Sequence, residues 1–173
     1  IERAVLRAAP HFANVNGNVL SDPRVRVIED DARSALQLTG EPYDVITSEP
    51  SNPWVAGVAS LYTPEYFRIA RSRLADDGIF TQWVQTYRVP VGVVAVVVAN
   101  LRSVFPHVEM WYSNTADLLL VASNQPIRWD YRRFAAFFEP GSATHRSITD
   151  WLQATRPSDL LGRFIMGDRG TEA

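Results

Sequence analysis

The period of the apolar positions changes several times along the chain, and each change marks an element. Val5, Leu6, Ala9 and Phe12 follow a helical stripe, which predicts a helix over 3–13 that Pro10 kinks or shortens. The turn formers Asn16-Gly17-Asn18 and Ser21-Asp22-Pro23 place a loop over 14–23, after which RVRVIE alternates as a strand does over 24–29. Asp30 and Asp31 end that strand, and a short helix over 32–38 follows, with Gly40 as its stop. A second strand is predicted over 43–47. Thr63-Pro64-Glu65 then supplies an N-cap, a proline at the first helical position and an acid in the first turn. The helix it opens carries Tyr66, Phe67, Ile69, Ala70 and Leu74 on one side and ends at Asp76-Asp77-Gly78. The next strand, over 79–84, brings Gln82 and Gln85 to its far end.

The β-branched run over 91–105 has the length of a helix packed on a sheet, and Pro106 ends it. Strands over 107–112 and 117–123, joined by Ser113-Asn114-Thr115-Ala116, form a hairpin that gives the sheet an antiparallel edge. Beyond Gln125 the pattern weakens into helical pieces over 131–138, 148–154 and 158–165. This alternation predicts an α/β, Rossmann-like fold with a mostly parallel sheet and an antiparallel C-terminal hairpin. Residues 1–125 form its body and 126–173 a helical extension of the same domain.

The chain is organised around YDVITSEPSNPW, residues 43–54, a short apolar strand running straight into a turn. Pro50 and Pro53 fix their own φ and push the residues before them toward extended conformations, so Glu49 and Asn52 sit on a stiff loop just past the strand. Ligands of open α/β sheets bind at that end of the strands. A carboxylate flanked there by apolar and proline residues would have its pKa raised by desolvation and could accept a proton from an amine nucleophile. The alternative is a solvated loop acid.

Composition narrows the chemistry. The 173 residues carry a net charge of −2 with no basic stripe, which sets nucleic acid and anionic membrane surfaces aside as partners. There is no cysteine, hence no disulfide, thiolate zinc site or cysteine nucleophile. All 17 basic residues are arginine, which removes lysine Schiff-base chemistry and a P-loop lysine. His11, His107 and His145 lack metal-ligand spacing, so no metal is expected. Ser48 has no G-x-S-x-G around it and gives a hydrolase triad little support. The apolar run over 89–99 is too short to cross a bilayer, and the domain is expected to be cytoplasmic, or to face the cytoplasm on a membrane protein.

Two further acids follow predicted strands. Ile1-Glu2 reads as the end of a strand entering a helix, where Glu2 could accept from ribose hydroxyls; its alternative is a surface carboxylate at a helix start. Asp31-Ala32 suits the exocyclic amine of a base, and its alternative is an ordinary N-cap. Trp54, Tyr62, Trp83, Tyr87, Trp111 and Tyr112 lie near strand ends, where aromatic faces could cover an adenine ring or a cationic amine, or simply belong to the core.

Together these residues resemble the spermidine synthase (polyamine aminopropyltransferase) family, a branch of the class I S-adenosylmethionine-dependent methyltransferase fold. The resemblance runs from Ile1 to about Ser123 and is closest to spermidine-synthase-like domains found alone or fused to transporter-like membrane segments, where SEPSNPW, SLYTPEYF and TQWVQ are typical phrases. It implies transfer of an aminopropyl group from decarboxylated S-adenosylmethionine to a polyamine, without a metal. In the family pattern Glu2 matches the acid for the ribose, and Asp31-Ala32 the pair for the adenine. Glu49 matches the acid that assists deprotonation of the attacking amine. Asn52 stands where the second acid of D-[ST]-[ST]-D-P helps bind the polyamine, and Gln82 matches a glutamine of the substrate pocket; Tyr87 is placed with that pocket. The family's first strand and G-G-G-D-G loop would precede Ile1, so the chain is expected to be an N-terminally truncated fragment, inactive as such. A homodimer is a further expectation. Methyl transfer from S-adenosylmethionine and a non-catalytic nucleoside-sensing domain of a transporter are the rival readings.

Overall fold

The computed structural model describes residues 2–114, 117–142 and 144–171; Ile1, and with it the expected strand end there, lies outside them. The first stripe forms α1 (Arg3–Ala8), a 3₁₀ turn (Ala9–Phe12) that accommodates Pro10, and α2 (Ala13–Asn16). Gly17 closes α2 with φ 61°, a left-handed position that glycine adopts without strain. The expected strand over 24–29 does not form. Its alternation is present, but a strand exists only by pairing, and here the chain bonds locally instead. Arg24 donates from its backbone N–H and Nε to Asp22 Oδ1, and Val25 N–H donates to Asp22 O. Val25, Val27 and Ile28 are left exposed.

α3 (Ala32–Leu38) begins at Asp31, whose carboxylate accepts from Ser34 N–H, and leads into β1 (Tyr43–Ser48). α4 (Pro64–Ser72) is phased by its cap, where Thr63 Oγ1 accepts from Tyr66 N–H, so that Tyr66, Phe67 and Ala70 fall on the buried side. The helix ends at Ser72, earlier than Asp76-Asp77-Gly78, and those residues belong to β2 (Leu74–Gln85). Gly78 is required there: a Cβ would lie 3.0 Å from Tyr43 O and 3.1 Å from Ala75 N and O, where β1 and β2 shift register. α5 (Val91–Arg102), β3 (His107–Asn114) and β4 (Asp117–Ser123) follow as expected. The tail forms α6 (Tyr131–Ala136), α7 (His145–Trp151), α8 (Pro157–Leu161), β5 (Phe164–Met166) and α9 (Asp168–Thr171). The helical expectation over 158–165 holds as far as Leu161 in α8, and β5 corrects its end.

The sheet has the order β1-β2-β4-β3-β5. β1 and β2 are parallel, and the other three pairings are antiparallel. The α/β class and the antiparallel hairpin are as expected. The mostly parallel sheet is not, because without a strand over 24–29 only one parallel pair forms among the described residues.

α4 and α5 cover one face of β2, β4 and β3. There Phe67, Phe80 and Phe105 pack with ring centroids 5.8 Å (Phe67–Phe80) and 5.5 Å (Phe80–Phe105) apart, the latter pair stacked. Phe80 is fully buried, whereas Phe12 on the N-terminal segment is exposed. At the far edge Asp168 pins α9 to β3: its carboxylate accepts from Val108 N–H at 2.8 Å and meets His107 Nδ1 at 2.9 Å and Arg102 Nη1 at 3.8 Å. Partial burial opposes ionisation of Asp168, but His107, the Val108 N–H and Arg102 together hold its carboxyl below the ordinary 3.8.

Two expectations follow for stability. Phe80→Ala should lower unfolding free energy by about 3–5 kcal/mol and Phe12→Ala by no more than about 0.5 kcal/mol, compared by denaturant midpoint at equal slope. The Asp168 contribution is present above pH 3.8 and is lost as pH falls through its lower folded value. Asp168→Asn should therefore remove part of the acid-side loss of stability, and an unchanged pH profile of the melting temperature would refute that role.

Candidate functional site

β1 delivers the 49–53 loop to the end of the sheet, and two buried tyrosines hold it there. Ser48 is buried and level with Gln82 on β2. The Tyr66 hydroxyl donates to Ser48 Oγ at 3.1 Å, and the Tyr62 hydroxyl donates to Ser51 O at 3.0 Å. Tyr62 is itself tied to α5, since Asn100 Nδ2 donates to its carbonyl at 3.1 Å. Burial pushes the Tyr62 hydroxyl up to about 12 and raises that of Tyr66 against the hydrogen bond to Ser48, so both stay protonated as donors at neutral pH. Their rings lie in the core and neither covers a ligand. Sequence reasoning placed Tyr62 among candidate ligand aromatics and Tyr66 among plain core residues. The signal for Tyr66 was the helical phase set by Thr63-Pro64; Tyr62 lies in the 3₁₀ turn before that cap, and its tie to Ser51 had no such signal.

On this loop Pro50 is buried and Glu49 exposed. Glu49 thus lacks the apolar cover expected of it, because the prolines beside it turn inward while its own side chain does not. Asn52 is half-buried, its backbone carbonyl accepts from Val55 N–H at 3.0 Å, and its Oδ1 is buried. Gln82 is completely buried, with Nε2 donating to Trp83 O at 3.2 Å. Tyr87 follows β2 and is half exposed; Arg88 beside it holds φ 56°, a left-handed conformation uncommon outside glycine.

Three buried amide oxygens, Asn52 Oδ1, Gln82 Oε1 and Gln85 Oε1, have no hydrogen-bond partner among the described residues. An unmet buried acceptor costs about 1–3 kcal/mol, so this end of the sheet is suited to a ligand that brings N–H or O–H donors.

The remaining candidates lie elsewhere. Glu2 is exposed, stands at the N-cap of α1 without a side-chain cap bond, and its carbonyl accepts from Val5 and Leu6 N–H. Asp31 caps α3 through Ser34 N–H at 2.9 Å, which with the Ser34 hydroxyl keeps its carboxyl below the usual range, and Ala32 is exposed in the first turn. These three sit on segments that contribute no strand to the sheet, whereas Glu49, Asn52 and Gln82 gather at the ends of β1 and β2. Of the other aromatics, Trp54 and Tyr112 are exposed, and Trp111 packs against Trp129 and Phe164, each at 5.0 Å. No group of three His, Asp or Glu among the described residues could hold a metal ion, and no helix there is long and apolar enough to cross a membrane.

The chain is similar to several known proteins. A polyamine aminopropyltransferase of Synechococcus sp. (strain JA-2-3B'a(2-13)) is 40% identical over 101 residues, covering 57% of this chain and 32% of that protein. Among solved structures, a spermidine synthase in complex with the transition state analogue AdoDATO superposes with a TM-score of 0.69 at 16% identity, over 98% of this chain and 55% of that one. Human methyltransferase-like protein 13 in complex with SAH gives 0.61 at 18% identity, over 90% and 70%. These likenesses show a class I methyltransferase-like, Rossmann-type fold. The chain spans about a third of the length of that curated relative and about half of that spermidine synthase. The model of the spermine/spermidine synthase domain matches residues 4–121, and the chain belongs to that family.

Proposed function

We propose that the protein transfers an aminopropyl group from decarboxylated S-adenosylmethionine to an amine of a polyamine. The observation that carries this reading is the Glu49 carboxylate one residue past β1, inside the stretch that the family model matches and at the same end of the sheet as buried amide oxygens that can accept N–H bonds. The likeness to the polyamine aminopropyltransferase of Synechococcus and to the spermidine synthase in complex with AdoDATO supports it.

The reaction asks for a neutral amine in line with the carbon next to the sulfonium. The nitrogen lone pair forms the new C–N bond while the C–S pair returns to sulfur, releasing neutral methylthioadenosine. The proton lost by the nitrogen goes to Glu49, whose exposure lets it pass that proton to water. Asn52, Gln82 and Tyr87 line the amine, and Glu2, Asp31 and Ala32 serve the nucleoside. Asp31 would do so while still capping α3, since a carboxylate has lone pairs enough for both tasks.

Methyl transfer from S-adenosylmethionine is the second reading, favoured by one observation: Asn52 offers no charge to a polyamine ammonium. Incubation of the full-length protein with each co-substrate and a polyamine separates the two, with methylthioadenosine expected and S-adenosylhomocysteine alone contradicting the proposal. Glu49→Gln should lower turnover on the order of 10²–10⁴-fold and leave nucleoside binding unchanged by calorimetry. Retained turnover would remove Glu49 from the mechanism.

A further inference from the structure

Glu49 sits between two buried neighbours. Ser48 and Pro50 are buried and Glu49 is exposed, so the alternation of extended backbone continues past the end of β1. The register of β1 against β2 ends at Ser48 and Gln82, and strand pairing therefore fixes the residue before Glu49 but not those after it. Two carbonyls there converge on one phenol: the Tyr62 hydroxyl lies 3.0 Å from Ser51 O and 3.5 Å from Pro50 O. A phenol carries a single proton, and the shorter contact, to Ser51 O, takes it. The Pro50 ring fixes that residue's φ, and the hydroxyl holds the peptide planes on either side of Ser51, so little backbone freedom remains from Ser48 to Ser51. Tyr62 is anchored in its turn. It is 4% exposed within the aromatic core, and Asn100 Nδ2 on α5 donates to its carbonyl.

From this we infer that Tyr62 is a positioning residue for proton transfer at Glu49, its hydroxyl aiming the carboxylate by holding the two peptide planes that follow Pro50. The inference rests on the proposed aminopropyl transfer and gives Tyr62 no contact with either substrate. A phenylalanine ring would fill nearly the same core volume, so what the hydroxyl adds is its bond to the loop. A general base must come within hydrogen-bond reach of the nitrogen, about 2.6–3.2 Å between heavy atoms, and a misplacement of about 1 Å can cost on the order of 10²-fold in rate. Because Glu49 is exposed, no packed neighbours correct its direction, and the backbone beneath it has to supply the aim. The Tyr66 hydroxyl does a different job. It meets the side chain of Ser48, a residue that strand pairing already places.

The test is Tyr62→Phe in the full-length protein, alone and combined with Glu49→Gln, assayed by methylthioadenosine release. Tyr62→Phe should lower kcat by roughly tenfold or more and leave KM for both substrates unchanged. In the Glu49→Gln background it should cost nothing further, since a base that is absent cannot be misaimed. Amide hydrogen exchange at Val55, whose N–H closes the loop onto Asn52 O, should quicken in the Phe variant while the amides of α5 keep their protection. Full turnover in Tyr62→Phe, an equal loss repeated in the Glu49→Gln background, or unchanged exchange at Val55 overturns the role of Tyr62 and leaves aminopropyl transfer standing. A wild-type protein that releases no methylthioadenosine overturns the transfer and, with it, the role that Tyr62 has in it.

Discussion

The parallel pairing of β1 with β2 is the constraint on which the candidate site depends. β1 buries little side-chain surface: of its six residues Ser48 alone is buried and Ile46 partly so. Its place is set by backbone hydrogen bonds, each contributing about 0.5–1.5 kcal/mol net, and by the close approach that Gly78 permits to the Tyr43 carbonyl. The hydroxyls of Tyr66 and Tyr62 add two polar ties, at Ser48 and Ser51. These ties come from α4 and the turn before it, and so from the aromatic core around Phe67 and Phe80. Packing on one face of the sheet is thereby transmitted to the position of Glu49.

The two halves of the candidate site rest on unequal foundations. From Tyr62 onward the chain builds a contiguous core, whereas none of residues 2–47 is buried. Val5, Phe12, Val25, Val27, Ile28 and Val45 all keep exposed apolar surface. The proposed amine side, at β1 and β2, is held by the core. Glu2, Asp31 and Ala32 are placed by local bonds, such as the Asp31 cap and the Arg3–Glu29 ion pair, which at such exposure adds little stability. The proposed nucleoside recognition would therefore depend on the part of the chain with the least burial to fix it.

What was legible in the sequence follows the same division. Local rules were enough where an element's stability is local or its face is buried: the Thr63-Pro64 helix start, the apolar α5 and the β3–β4 hairpin all formed where their patterns put them. RVRVIE shows where local rules stop, because alternation specifies two faces but cannot supply a neighbouring strand. Asp76-Asp77-Gly78 was misread as a helix stop since the residues that end helices also fit an irregular strand start held by a glycine. Phe164–Met166 was hidden because three residues carry no period. At the site, Glu49 and Gln82 could be placed by their strands. The exposure of Glu49 and the tyrosine ties both required the tertiary structure.

The distribution of charge at the strand ends bears on the chemistry itself. An attacking nitrogen must be neutral, and a carboxylate buried beside it would hold its proton by raising the ammonium pKa. Amide oxygens accept the same N–H bonds without that electrostatic pull, and amides are what Asn52 and Gln82 present next to the loop. In the proposed mechanism Glu49, exposed to water, takes the proton without a strong buried ion pair having to be broken first. An amide at Asn52 is thus compatible with the proposed amine transfer, since it can accept an N–H bond without holding the proton on the nitrogen.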